Sequence, residues 1–160
     1  MDRSLAELEA AAEEIYRVLP PTPQYHWPQI TARLGAEAWV KHENHTRVGA
    51  FKIRGGIIYM KNLKEREPQI AGVISATRGN HGQSVAFAAA LNGLTATIVV
   101  PHGNSKEKNA AMRALGAELI EFGTDFQAAR EYAASLAAQR LLHFVPSFHE
   151  DLVCGVATYG

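Results

Sequence analysis

The sequence has a single cysteine, Cys154, among 160 residues. No disulfide can form within the chain, and a reducing compartment is the simpler setting. Neither charge is in excess: Lys+Arg and Asp+Glu are both 16. That balance gives no electrostatic footprint for nucleic acid or an anionic membrane, and no basic run interleaved with aromatics supplies one locally. No apolar run approaches the length of a membrane span. The start, Met1-Asp2-Arg3-Ser4, lacks the basic opening and apolar core of a secretion signal. A cytoplasmic location is therefore expected. Tracts of low complexity and repeats of fixed period are also missing. Hydrophobic residues make up 47% and charged residues 20%, which fits one globular domain with a core of ordinary size.

The residues that are present alternate between two periods. Ser4 to Leu19 reads as a helix, opened by a Ser4-x-x-Glu7 capping box and ended by Pro20 and Pro21. Pro20 to Pro28 reads as irregular, Ile30 to Leu34 as a helical turn closed by Gly35, and Ala38 to Glu43 as a strand. Lys52 to Leu63 reads as a helix. From Gly72 the pattern is regular. Strands are predicted at Gly72–Ala76, Thr95–Val100, Ala117–Phe122 and Leu141–Val145. Helices are predicted at Asn80–Asn92, Lys106–Leu115 and from Thr124 or Asp125 to Gln139. Strands alternating with helices of this length argue for an α/β fold of parallel βαβ units. Val156-Ala157-Thr158-Tyr159-Gly160 reads like the middle of an element, a hint that the polypeptide is incomplete.

Two stretches could carry chemistry. The first is Thr46 to Gly56, centred on Lys52. An amine in the first turn of a helix meets the positive end of the dipole, which favours the neutral, nucleophilic form. The competing reading is an ordinary solvated lysine. The second stretch is Thr77-Arg78-Gly79-Asn80-His81-Gly82-Gln83, after a strand and opening a helix. Ligands bind there in parallel sheets, and free helix N–H groups hold anions. Thr77, Gly79 and Asn80 together would suit a carboxylate; a plain turn capped by Asn80 fits the local sequence equally well. His42 and His45 lack the spacing of a zinc helix, so no metal site is expected. Cys154 reads as a buried inert thiol, and Val85 to Ala90 as core packing. No Gly-x-Gly-x-x-Gly follows the first strand of the regular region, which disfavours a dinucleotide binder.

Taken together, Phe51-Lys52-Ile53-Arg54-Gly55-Gly56 and the Thr77–Gln83 stretch resemble the threonine/serine dehydratases. These are fold-type II pyridoxal-phosphate enzymes, similar to the tryptophan synthase β fold. Pro21-Thr22-Pro23, Lys41-His42-Glu43-Asn44, and Pro101 with Lys106 to Gly116 resemble further segments of that family. The resemblance covers nearly the whole chain. It implies that Lys52 forms a Schiff base with pyridoxal 5'-phosphate and later removes the substrate Cα proton. Phe51 would pack near the cofactor ring and Asn80 would hydrogen-bond its 3-oxygen. Thr77, Gly79, Asn80 and His81 would cradle the substrate carboxylate. The implied reaction is α,β-elimination from a β-hydroxy amino acid, giving a 2-oxo acid and ammonia.

This sequence departs from the family pattern at Ala50, where a serine usually precedes Phe-Lys. It departs again at Arg78, where serine racemases carry an acid/base serine. Arg78 disfavours racemisation and adds a positive charge to the substrate loop, which would suit a second substrate carboxylate, as in a hydroxyaspartate. The family's glycine-rich phosphate loop lies in a C-terminal half beyond this sequence. The resemblance therefore implies residues 1–71 as part of a large domain, 72–146 as a complete small domain, and 147–160 as a return to the large domain. A half-built large domain would expose apolar surface and favour a homo-oligomer, a dimer or larger. The rival expectation is a non-catalytic fragment or binding module of the same fold.

Overall fold

The first helix opens where its signals place it. It ends at Tyr16, short of the expected Leu19, because the Val18 N–H turns to the Ile15 carbonyl in a tighter turn before Pro20. In the computed structural model, which describes residues 3–159, α1 spans Leu5–Tyr16. Ser4 Oγ accepts from the Glu7 N–H at 3.3 Å, and the Ser4 N–H donates to the Glu7 carboxylate at 2.8 Å. Tyr25, expected in an irregular segment, lies instead in strand β1 (Gln24–His26). β1 pairs antiparallel with β2 (Trp39–Lys41), His26 opposite Trp39. Surrounding prolines hid this strand, whose side chains stay exposed and so carry no burial pattern. Helix α2 (Pro28–Leu34) closes on Gly35 at φ 68, as expected. β2 is shorter than predicted, because Glu43–His45 turns into a 3-10 helix.

Helix α3 (Lys52–Arg66) begins at the predicted lysine. β3 (Gly72–Ala76) and β4 (Thr95–Val100) have the predicted bounds. β5 covers Glu118–Glu121, and β6 is only His143–Phe144. Leu141, expected to start β6, adopts a left-handed conformation at φ 55 and caps the preceding helix through its N–H to the Ala137 carbonyl. The intervening helices are α4 (Asn80–Leu91), α5 (Lys106–Ala114) and α6 (Phe126–Arg140), followed by α7 (Glu150–Ala157). Val156 and Ala157 thus finish a helix rather than lying mid-element; Gly160 falls outside the described residues.

All four strands of the main sheet are parallel, in the order β5-β4-β3-β6. The chain walks outward from β3 to β5 and then returns to the other side of β3. Alternate residues face opposite layers, as the strand period requires. Val73, Ala96, Ile98 and Val100 pack with α3, α4 and Met112 of α5. Ile74, Ala76 and Val99 pack with Ala129, Ala133 and Leu136 of α6. A further layer forms where Ala11 and Ile15 of α1 meet Ile53, Ile57 and Ile58 of α3, with Phe87 and Cys154.

The return to β6 makes a topological switch point between β3 and β6. At such a point the connecting loops diverge to opposite faces and leave a crevice at the carboxyl ends of the strands. Thr77 to His81 leave β3 there, and Val145 to Ser147 leave β6.

Candidate active site

Lys52 is held at this crevice by close helix packing. Two adjacent glycines within a helix each cost about 1 kcal/mol against alanine. Here both are buried at backbone contacts. A Cβ on Gly55 would stand 2.6 Å from the Leu152 carbonyl of α7, and one on Gly56 would stand 2.3 Å from Ser84 Oγ of α4. Gly155 faces back, its Cβ position 2.4 Å from the Arg54 carbonyl. Ser84 is fully buried, and its hydroxyl donates to the Lys52 carbonyl at 2.6 Å. The helix bearing Lys52 is thereby tied directly to the helix opened by the Thr77–Gln83 loop.

Three more segments lock the start of α3. Arg54, wholly buried, donates from Nε and one terminal nitrogen to the Glu43 carboxylate at 2.8 and 2.9 Å. Thr22 Oγ donates to the same carboxylate at 2.6 Å. Burial alone would push the Glu43 carboxyl up. The hydrogen bonds from Arg54 and Thr22 and the Arg54 charge outweigh it and hold the group below the usual range. Thr46 Oγ accepts from the Ala50 N–H and donates to the Ala50 carbonyl, both at 3.0 Å, closing the approach to Phe51.

Lys52 is half-buried, its ammonium 5.4 Å from the centre of the Phe51 ring, which is itself 38% exposed. None of the salt bridges among the described residues involves Lys52. The Thr77–Gln83 loop contains no acidic residue. Thr77 is buried, and its hydroxyl accepts from the N–H groups of Gly79 and Gly82 at 3.1 and 3.3 Å. Thr77, not Asn80, therefore caps the loop from within. Gly79 is the N-cap residue, and Asn80 opens α4 with its side chain exposed. The N–H groups of Asn80 and His81 lie in the first turn, where a helix supplies no acceptor. Arg78 is exposed.

The His81 ring turns inward. It is hydrogen-bonded to the Pro146 carbonyl, while its Nε2 is buried without a partner among the described residues. Burial first, then the nearby Lys52 charge, push its pKa down to about 4 against that hydrogen bond, so the ring is neutral at pH 7. Lys52, Gly55, His81, Ser147, Leu152 and Val156 line one cavity of about 20 Å³. A wider hollow of about 570 Å³, beside Glu67–Ala71 and Arg140–Leu142, lies at the opposite ends of β3 and β6.

Among the predicted residues, Lys52, Phe51 and His81 converge at the switch point, with the backbone of Gly79 and Asn80 beside them. Sequence reasoning missed Ser84 and Ser147 and the pairing of Glu43 with Arg54. Ser84 carried a signal, because a polar residue directly before the apolar Val85–Ala90 stretch needs a partner if it is buried with it. Glu43 and Arg54 lie on separate elements, and no local period joins them. Cys154 is a buried free thiol, and burial pushes its pKa up.

A parallel sheet with a switch-point crevice, a lysine in the first turn of one helix and a glycine-bounded loop opening another define a fold-type II pyridoxal-phosphate architecture. The sequence signature described as "Pyridoxal-phosphate dependent enzyme" matches residues 15–160, and the chain belongs to that family. It is 34% identical over 154 residues to a threonine dehydratase of Nicotiana attenuata, a match covering 96% of this chain and 26% of that protein. Its fold superposes with a TM-score of 0.91 on a pyridoxal 5'-phosphate-dependent aspartate racemase, at 28% identity over 97% of this chain and 49% of the other. Threonine deaminase isoform 2 of Solanum lycopersicum superposes at 0.82, with 32% identity over 98% of this chain and 47% of the other. The chain thus spans about a quarter of the curated relative and about half of the solved structures. The residues present fit the family's cofactor: a primary amine without an ion pair and, in the same cavity lining, an imidazole nitrogen without a partner, both among the described residues, and a loop without carboxylates.

Proposed function

We propose that this chain carries the lysine-bearing part of a pyridoxal-phosphate dependent dehydratase acting on a β-hydroxy amino acid, threonine or serine. The observation that carries the reading is the bond from Ser84 Oγ to the Lys52 carbonyl, which ties the backbone at Lys52 to the helix that the Thr77–Gln83 loop opens. Lys52 would hold the cofactor covalently, Phe51 would flank its ring, and Asn80 would meet its 3-oxygen. The cofactor, when bound, supplies the electron sink for loss of the substrate Cα proton. This chain's residues do the rest. The N–H groups of Asn80 and His81 bind the substrate carboxylate and orient the Cα–H bond. Lys52 Nζ, released, takes the Cα proton. Leu152 and Val156 line the small cavity behind it.

Turnover tests this directly. With pyridoxal phosphate, the protein is expected to form 2-oxo acid from L-threonine and L-serine, and Lys52→Ala to lose at least about a thousandfold in rate, as removal of an essential nucleophile does. Equal turnover by Lys52→Ala overturns the proposal. The chain's coverage of only 26% of the dehydratase favours a second reading, a unit of this fold that binds the cofactor without turnover. Cofactor fixed at Lys52 with no 2-oxo acid formed selects that reading.

Arg78 extends the proposal to substrate choice. Exposed on a loop without acidic residues, it favours a second carboxylate, so hydroxyaspartate is expected to compete with threonine. Arg78→Ala should lower the hydroxyaspartate-to-threonine ratio of kcat/KM roughly tenfold, the worth of one exposed charge-assisted hydrogen bond; an unchanged ratio sinks the idea. A cytoplasmic setting and association of copies belong to the same reading. The single cysteine supports the first, and the exposed Tyr25, Trp27, Leu34 and Trp39 support the second.

A further inference from the structure

One face of α3 holds the return of the chain from β6 to α7. Lys52, Gly55, Tyr59, Asn62 and Arg66 follow one another at steps of three and four, which stacks them along one stripe of the helix. Lys52 shares its cavity with Ser147, Leu152 and Val156, and Gly55 meets the Leu152 carbonyl. Asn62 and Arg66 donate to the Asp151 carboxylate at 2.8 and 2.7 Å. Tyr59, in the middle of the stripe, is 2% exposed and touches two histidines. Its hydroxyl lies 2.8 Å from His143 Nε2, and its ring meets the His149 ring edge-on, with centres 5.0 Å apart.

These two histidines bracket the Pro146–Ser147 turn. β6 is too short to carry that turn alone, and its last anchor on the sheet is Val145, bonded to Ile74 and Ser75. Past Val145, the N–H groups of Ser147 and Phe148 bond to no backbone carbonyl among the described residues. The partners fix the hydrogens at His143. Its Nδ1 stands 2.9 Å from the Glu67 carboxylate, which only accepts, so Nδ1 carries the hydrogen. In the neutral ring Nε2 is then the acceptor for the Tyr59 hydroxyl. Burial pushes that phenol up to about 12, so it keeps the proton it donates.

Resting on the assignment of Lys52 as the cofactor-bearing residue, we infer that Tyr59 is a positioning residue for this site: it holds both ends of the turn that shares the Lys52 cavity. Tyr59 and Lys52 stand on one helix, about two turns apart. The clamp therefore fixes the turn relative to the amine as well as to the sheet. The Pro146 carbonyl, which holds the His81 ring, is placed by the same clamp.

Two measurements on the 160-residue protein test the inference. At pH 8, above the ordinary histidine value of about 6.5, nitrogen NMR of the His143 imidazole is expected to show a protonated Nδ1 and a bare Nε2. A hydrogen on Nε2 overturns the inference. The second is the initial rate at which pyridoxal phosphate, fixed by borohydride, labels Lys52, read by peptide mapping. Tyr59→Phe keeps the ring and removes only the hydroxyl; its rate should fall about tenfold, the size of one net hydrogen bond. His143→Leu should fall as far, and the double variant no further, because both remove the same bond. His143→Gln, which returns an acceptor oxygen, should stay within about twofold of wild type. Leu136→Val loosens the far layer of the sheet without touching the turn and should label at the wild-type rate. Equal labelling by wild type and Tyr59→Phe, or additive losses in the double variant, overturns this inference alone. So does a fall in Leu136→Val that matches Tyr59→Phe, since loss of stability would then account for both. A wild type without label at Lys52 overturns the assignment of that lysine, and the inference with it.

Discussion

Burial disfavours the charged form of both His81 and Glu43, but only Glu43 has partners that outweigh it, and pH separates the two. The unfolded His81 protonates near its ordinary value of about 6.5, while the folded ring does so only near 4. Between these values the unfolded state binds the extra proton, so stability is full above about 6.5 and falls as pH drops toward 4. The loss should reach about 2 kcal/mol by pH 4.5, read as a lower urea midpoint. His81→Gln should lack this acid limb; a wild-type midpoint as flat as the variant's would contradict the burial of the ring. Glu43, held below its usual range, contributes stability above the ordinary carboxylate pKa and loses it only at more acid pH. Glu43→Gln leaves the buried Arg54 charge uncompensated. We expect a loss of about 3 kcal/mol, measured by urea unfolding at pH 7. A loss under about 1 kcal/mol would mean that the pair does not hold Arg54 in place.

At the scale of elements, the contact of α3 with α4 and α7 is backbone against backbone, and it depends on glycine. Gly56→Ala puts a Cβ 2.3 Å from Ser84 Oγ and 2.9 Å from the Ser84 carbonyl oxygen, so the helices must separate. We expect destabilisation of about 1–3 kcal/mol from overpacking, with a parallel fall in the labelling of Lys52. Full stability and labelling in Gly56→Ala would show that close approach is not what places the lysine. This contact was only partly legible in the sequence. The helix starting at Lys52 was readable as a mixed run, β3 from its short β-branched run after Gly72, and β4 from its β-branched run stopped by Pro101. The two glycines gave no local sign of what they touch, because Leu152 and Ser84 are remote in sequence. β1 and β6 were misread for the same reason: each is set by its pairing partner rather than by its own residues.

For the whole molecule, the position of the site follows from strand order. Outward steps from β3 to β5 and a return to β6 put the Thr77–His81 and Pro146–Ser147 loops side by side. The sequence showed alternating strands and helices, hence a parallel sheet, but not which strand β6 would join. The likeness to the dehydratases paired Lys52 with Asn80. The structure adds what connects them, the Ser84 tether and the inward His81 ring. Those are buried polar contacts between distant segments, which no periodicity encodes.

The central claim is that Lys52, held at the switch point, is the chain's one cofactor-reactive lysine. The most direct measurement is peptide mapping of the 160-residue protein after incubation with pyridoxal phosphate and borohydride reduction. Label confined to Lys52, accompanied by a visible absorption band before reduction, is the predicted result. Label spread over exposed lysines such as Lys106 and Lys108, with none at Lys52, would contradict it.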